Sequence, residues 1–136
     1  MLNATPFLLF DGNCAEAVSF YRDCFGGELT LTKLCDTPMK AQMPEALHPK
    51  IAYAHLKSNA VEFSATDWMH ATRKFNPGNT VAIYLTGRLN ELKPIFDHLS
   101  AGADPKLLDE LRDLPFGIYG HLADKYGVHW FFNGQK

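Results

Sequence analysis

Four side chains in this sequence can move protons near neutral pH or, together, ligate a metal: His55, Glu62, His121 and His129. Their spacing matters because alternate residues of a strand share a face. On that rule Tyr53 and His55 lie on one side of a strand. Glu62, Ser64 and Thr66 share a side of the next, with Val61, Phe63 and Ala65 on the other. Tyr119 and His121 share a side, and His129 and Phe131 lie together opposite Val128, Trp130 and Phe132. With the polar sides turned to a common interior, two outcomes are open: a Glu–His pair exchanging protons, or a non-standard metal site drawn from Glu62, His129, His55 and His121. Against both stands the commoner fate of strand histidines, which is to be hydrogen-bonded or solvent-facing rather than ligating. Tyr53, Tyr84, Tyr119, Trp130 and Phe131 add aromatic surface that can stack on a planar ligand or pack as plain core.

Cys14 stands where a helix begins, and the helix dipole there lowers a thiol pKa toward that of a nucleophile. No basic or histidine partner lies near it in sequence, so the expectation is a packed, inert thiol. Asp67, followed by Trp68-Met69, either gates a pocket mouth or is a turn aspartate beside a packed aromatic. His70 and His98 read as surface residues, and Cys35 and His48 frame a long loop without an assigned role.

Strands and helices must position these groups. Phe7-Leu8-Leu9-Phe10 is a short apolar run ended by Asp11-Gly12, which suits a buried strand. Asn13, with Glu16 three residues on, predicts a capped helix start. Ala17, Val18, Tyr21, Cys24 and Phe25 form one apolar stripe, and Gly26-Gly27 ends the helix. Glu28 to Leu34 alternates as a half-buried strand, and 35–49 reads as a loop with a short helical turn. Lys50–Lys57 and Ala60–Thr66 form a hairpin through Ser58-Asn59.

Sliding Pro6–Gly27 onto the stretch from Val81 sets Leu8 on Ile83, Phe10 on Leu85, Ala17 on Leu92, Tyr21 on Phe96, Cys24 on Leu99 and Gly27 on Gly102. Apolar meets apolar at each core position, so the second half repeats the first. It reads as strand 80–86, helix 90–101, a weak strand or irregular stretch 104–111, strand 116–123 and strand 127–133. Pro94 fits the helix if Asn90 caps it, because Pro94 then lies in the first turn. Each half is β-α-β-β-β. The fold class is α+β: two βαβββ modules, about 1–78 and 79–136, in one domain, forming curved, mostly antiparallel sheets with helices on the outer faces. Concave sheet faces are where ligands bind.

The totals exclude several partners. Lys and Arg number 13 against 15 Asp and Glu, a formal net charge of −2, with no basic run, so no nucleic acid and no membrane surface is expected. No apolar run approaches the roughly 20 residues of a spanning helix, and MLNATPF lacks signal-peptide character, which predicts a cytoplasmic protein. Cys14, Cys24 and Cys35, without C-x-x-C spacing, read as reduced thiols.

The repeat, with Pro6-Phe7-Leu8, Gly12-Asn13-Cys14-Ala15-Glu16-Ala17, Phe20-Tyr21, Ile51-Ala52-Tyr53-Ala54-His55, Thr66-Asp67, Tyr119-Gly120 and Asp124-Lys125-Tyr126-Gly127-Val128-His129-Trp130, resembles the vicinal oxygen chelate superfamily of glyoxalases, bleomycin-resistance proteins and extradiol dioxygenases. Within it the chain is similar to the PhnB-like branch. The resemblance implies the glyoxalase/bleomycin resistance fold and a homodimer. In enzymes of the superfamily it also implies one divalent metal held by His and Glu from the first and last strands of each module. Carried over by position, first-strand ligands fall near Pro6 or Phe7 and near Thr80 or Val81, which are not ligands. Last-strand ligands fall near Glu62 or Phe63 and near Phe131, with His129 two residues earlier on the same face.

A catalytic metal takes about three protein ligands, so no metal or other cofactor is expected. PhnB-like sequences also carry the label of demethylubiquinone methyltransferases. Nothing here resembles a glycine-rich loop between strand and helix, so methyl transfer is not expected. The first expectation is a binder of a small, partly apolar molecule through Tyr53, His55, Glu62, Ser64, Tyr119, His121, His129 and Phe131. The alternatives are a divalent-metal lyase, isomerase or dioxygenase, and a resistance-type protein that sequesters its ligand without turnover.

Overall fold

The computed structural model describes residues 1–135 and divides them into two compact units, Met1–Asn76 and a second from Pro77 onward. The first holds β1 (Phe7–Phe10), α1 (Cys14–Phe25), β2 (Glu28–Lys33), β3 (Ile51–Lys57) and β4 (Glu62–Asp67). The second holds β5 (Ile83–Arg88), α2 (Leu89–Leu99), β6 (Leu108–Leu114), β7 (Gly117–Ala123) and β8 (His129–Gln135). The sheets are ordered β1-β4-β3-β2 and β5-β8-β7-β6. In each, the first strand runs parallel to the last, Phe7 opposite Ser64 and Tyr84 opposite Phe131, and the remaining pairs are antiparallel. The α+β class and the two βαβββ modules are as the repeat predicts.

Each helix covers one face of its own sheet. Cys14, Ala17, Val18 and Tyr21 are the buried stripe of α1. Tyr21 meets Phe63 edge-on at 5.7 Å, among Phe10, Ala54, Leu56 and Ala65 of the same strand parity. In the second unit Leu92, Phe96 and Leu99 of α2 are buried, and Phe96 meets Phe132 edge-on at 5.0 Å, near Trp130 and Leu122. Each such side chain contributes about 1.5–3 kcal/mol on leaving water. The diglycine stop has a steric cause. Gly26 caps α1 through its N–H to the Arg22 carbonyl, and Gly27 sits at φ 96°, where a Cβ would strike the Lys57 carbonyl.

Three local expectations are corrected. Asn13 occupies the N-cap position of α1 but makes no side-chain cap bond. Its place is taken by Asp67, whose Oδ1 accepts the Cys14 N–H at 2.9 Å. Helix α2 starts at Leu89, so Asn90 is not its cap. The Glu91 carboxylate accepts the Arg88 N–H at 3.0 Å, and Pro94 lies inside the helix rather than in its first turn. The stretch 104–111, left open between a weak strand and an irregular segment, contributes to an edge strand, β6, over residues 108–114. A bulge between Asp109 and Arg112 breaks the alternation by which a strand is recognised, and charge suits an exposed edge. Residues 35–49 form short 3-10 turns.

Candidate functional site

The face of each sheet that carries no helix holds the candidate polar groups. In the first unit Phe7 is opposite Ser64, Ser64 opposite His55, and His55 opposite Thr30, a row across all four strands. The side chains on this row and its neighbours pair off. His55 Nε2 and Glu62 Oε2 are 2.9 Å apart, and Tyr53 OH and Ser64 Oγ are 3.0 Å apart. The Tyr53 and His55 rings lie within 6° of parallel. Beside them Phe7 and Leu9 are 54% and 41% exposed. They line a recess of about 460 Å³ with Ala52, Thr66, Asp67, Trp68, Met69 and His70.

Sequence reasoning missed Phe7 and Leu9 as site residues. Both faces of the four-residue β1 are apolar, so no alternation marks which side is free. Trp68 is held in place: its Nε1–H donates to the Arg73 carbonyl at 2.8 Å, and Lys50 Nζ donates to the Trp68 carbonyl at 2.9 Å. Asp67 is no gate. It is 3% exposed and points to the helix side, where Oδ1 accepts from Cys14 and Oδ2 from the Ile51 N–H at 2.9 Å. Burial, and secondarily the Asp67 charge, pushes the Cys14 thiol up to about 12. Cys14, with 0% of its surface exposed, is a packed thiol.

In the second unit Tyr119, His121, His129 and Phe131 share the helix-free face, while Trp130 is fully buried on the other. His121 Nε2 and His129 Nδ1 are 3.0 Å apart, and the His121 ring stacks on Phe131 at 4.3 Å. Asp109, absent from the sequence-based site, faces His121 across its register partnership, with Oδ2 3.7 Å from Nδ1. Burial, then the neighbouring His129, pulls the His121 pKa below the ordinary 6.5, with Asp109 opposing. The folded state thus prefers neutral His121, whereas the unfolded chain takes its proton near 6.5. This contribution to stability is complete above that pH and is lost as pH falls toward the folded value. Urea midpoints at pH 7.5 and 5 are expected to differ less in His121→Gln than in the wild type.

The donor chemistry does not fit the divalent metal held by enzymes of this superfamily. The helix-free positions of β1 and β5 carry Phe7, Leu9, Tyr84 and Thr86. In the first unit the two donors that meet, His55 and Glu62, are bonded to each other, as are His121 and His129 in the second. Among the described residues no group of three or more His, Cys, Asp or Glu is placed to hold a metal ion.

A family model described as 3-demethylubiquinone-9 3-methyltransferase matches residues 3–132. The chain belongs to this PhnB-like family. It is 28% identical to the protein YjdN of Escherichia coli K12, over 97% of this chain and 95% of that one. Among solved structures, this PhnB-like chain is similar to protein PA1353 of Pseudomonas aeruginosa, with 27% identity, a TM-score of 0.85, and coverage of 99% and 98% of the two chains. A PhnB protein of Bacillus cereus with the same methyltransferase description gives 24% identity and a TM-score of 0.71, over 98% of this chain and 99% of that one. A glyoxylase/bleomycin resistance protein/dioxygenase domain of Frankia sp. EAN1pec shares the fold at 12% identity and a TM-score of 0.62, over 100% and 93% of the chains. The strand-to-helix junctions of this PhnB-like chain, Asp11-Gly12-Asn13 and Gly87-Arg88, do not resemble the glycine-rich loops that cradle nucleotide-type cofactors. No helix among the described residues is long and apolar enough to cross a membrane.

Proposed function

We propose that this PhnB-like protein binds a small, partly apolar molecule on the helix-free faces of its sheets, without a resident metal and without methyl transfer. One observation carries the reading: Phe7 and Leu9 stay substantially exposed around a recess of about 460 Å³, beside two ready-made polar pairs. Apolar walls with a few convergent polar groups are the usual composition of a small-molecule site. The recess takes the apolar part, and the Tyr53–Ser64 and His55–Glu62 pairs orient the polar part. The edge strands of both sheets, which need cover, support its working as a homodimer.

The test is a titration with 8-anilinonaphthalene-1-sulfonate, a partly apolar aromatic probe. Leu9→Arg is expected to weaken its binding at least tenfold, about 1.4 kcal/mol, while exhaustive chelation leaves the wild-type affinity unchanged. Equal affinity in wild type and variant would overturn the site assignment. Loss on chelation would overturn the metal-free reading.

A further inference from the structure

The helix-free face of the second sheet joins three titratable side chains in a line: Asp109 on β6, His121 on β7 and His129 on β8. The tautomers decide which ring donates. The Asp109 carboxylate accepts and cannot donate when ionised. At 3.7 Å from His121 Nδ1 it is too far for a hydrogen bond, but its charge favours the tautomer with N–H on that nitrogen. His121 Nε2 is then a lone pair, and the 3.0 Å contact to His129 Nδ1 requires His129 to be the donor. A neutral His129 whose Nδ1 carries the proton presents its lone pair at Nε2, on the opposite side of its ring.

We propose that Asp109, His121 and His129 form a one-way relay that makes His129 Nε2 the proton acceptor for a ligand carrying an acidic hydroxyl on an aromatic ring. The ring complements Phe131 and Tyr119, which stand on the same face, edge-on at 6.3 Å. When the ligand O–H bond breaks, its electron pair stays on oxygen as the phenolate and the proton passes to His129 Nε2. The imidazolium so formed keeps donating Nδ1–H to His121, whose ring lies between it and the Asp109 charge. His129 is the residue that touches the ligand; His121 and Asp109 act as positioning residues. Tyr119 and Arg112, register partners of each other, and Tyr84 of β5, opposite Phe131, are further titratable or charged groups on this face among the described residues. Helix α2 covers the opposite face.

The ligand half of this proposal rests on the reading that the helix-free faces take small molecules. The tautomer half is measured with no ligand present. Long-range proton–nitrogen NMR on the histidine-labelled full chain at pH 7.5 is expected to show both His121 and His129 with the proton on Nδ1, and Asp109→Asn to return them toward mixed tautomers. An Nε2–H proton on either ring in the wild type would overturn the relay. With p-nitrophenol as the probe, binding is expected to raise the phenolate absorbance, and His129→Gln to weaken binding at least tenfold without moving the His121 Nδ1–H signal. An unshifted p-nitrophenol spectrum, or equal affinity in His129→Gln, would overturn the ligand assignment even with the tautomers as expected.

Discussion

Replacing Asp67 with alanine is expected to cost roughly 2–6 kcal/mol, about 1–3 for each buried donor left without its acceptor. One carboxylate serves two distant backbone groups, the Cys14 N–H at the start of α1 and the Ile51 N–H at the start of β3, both at 2.9 Å. The helix dipole adds to the attraction for a negative charge at that position. With total stabilities of roughly 5–15 kcal/mol, the loss is a large fraction of the whole. Asp67→Asn keeps one acceptor oxygen but turns an amide toward the other N–H, so an intermediate loss is expected. Urea unfolding checks both. Unfolding free energies within about 0.5 kcal/mol of wild type, the usual range for surface changes, would show that Asp67 does not clamp the unit.

The second large effect is expected at Asp124, the buried carboxylate of the other unit. It accepts from the Tyr126 N–H at 2.9 Å, the Val128 N–H at 3.1 Å and the Trp130 indole N–H at 2.8 Å. Two of these bonds shape the turn between β7 and β8, and the third ties that turn to a fully buried indole. Asp124→Ala is expected to cost roughly 2–5 kcal/mol, about 1–3 for the buried indole donor and less for each of the two half-buried backbone N–H groups, and to weaken the near-ultraviolet dichroism of Trp130. Trp130→Phe removes the indole donor at some cost in packing. The double variant is expected to be more stable than the sum of the single losses by roughly 0.5–3 kcal/mol, because the two groups share one bond. Strict additivity would show that the carboxylate–indole bond carries no stability of its own.

Much of the fold was legible because hydrophobic period survives in sequence: the α1 stripe and its echo in α2 mark the duplicated module. What escaped were effects set by residues far apart. The α1 cap comes from a carboxylate 53 positions away, beyond any local spacing rule, and this left Asn13 as the sequence's choice. Parity put His55, Glu62, His121 and His129 on particular strand sides, but strand register decides which of them meet. Glu62 stands directly opposite Lys57, and His55 reaches it diagonally. Asp109 was missed because the bulge in β6 obscures which side of that strand it faces.

The parallel closure of each module bears on how the chain emerges from the ribosome. Phe7 must wait for Ser64, and at about 5–20 residues per second that delay is roughly 3–12 s. Throughout it, β1 and the greasy side of α1 have no finished sheet to settle on. A nascent half-module is therefore a natural client for chaperones, and slowing translation once residue 67 has cleared the ribosomal exit tunnel gives the first half time to close.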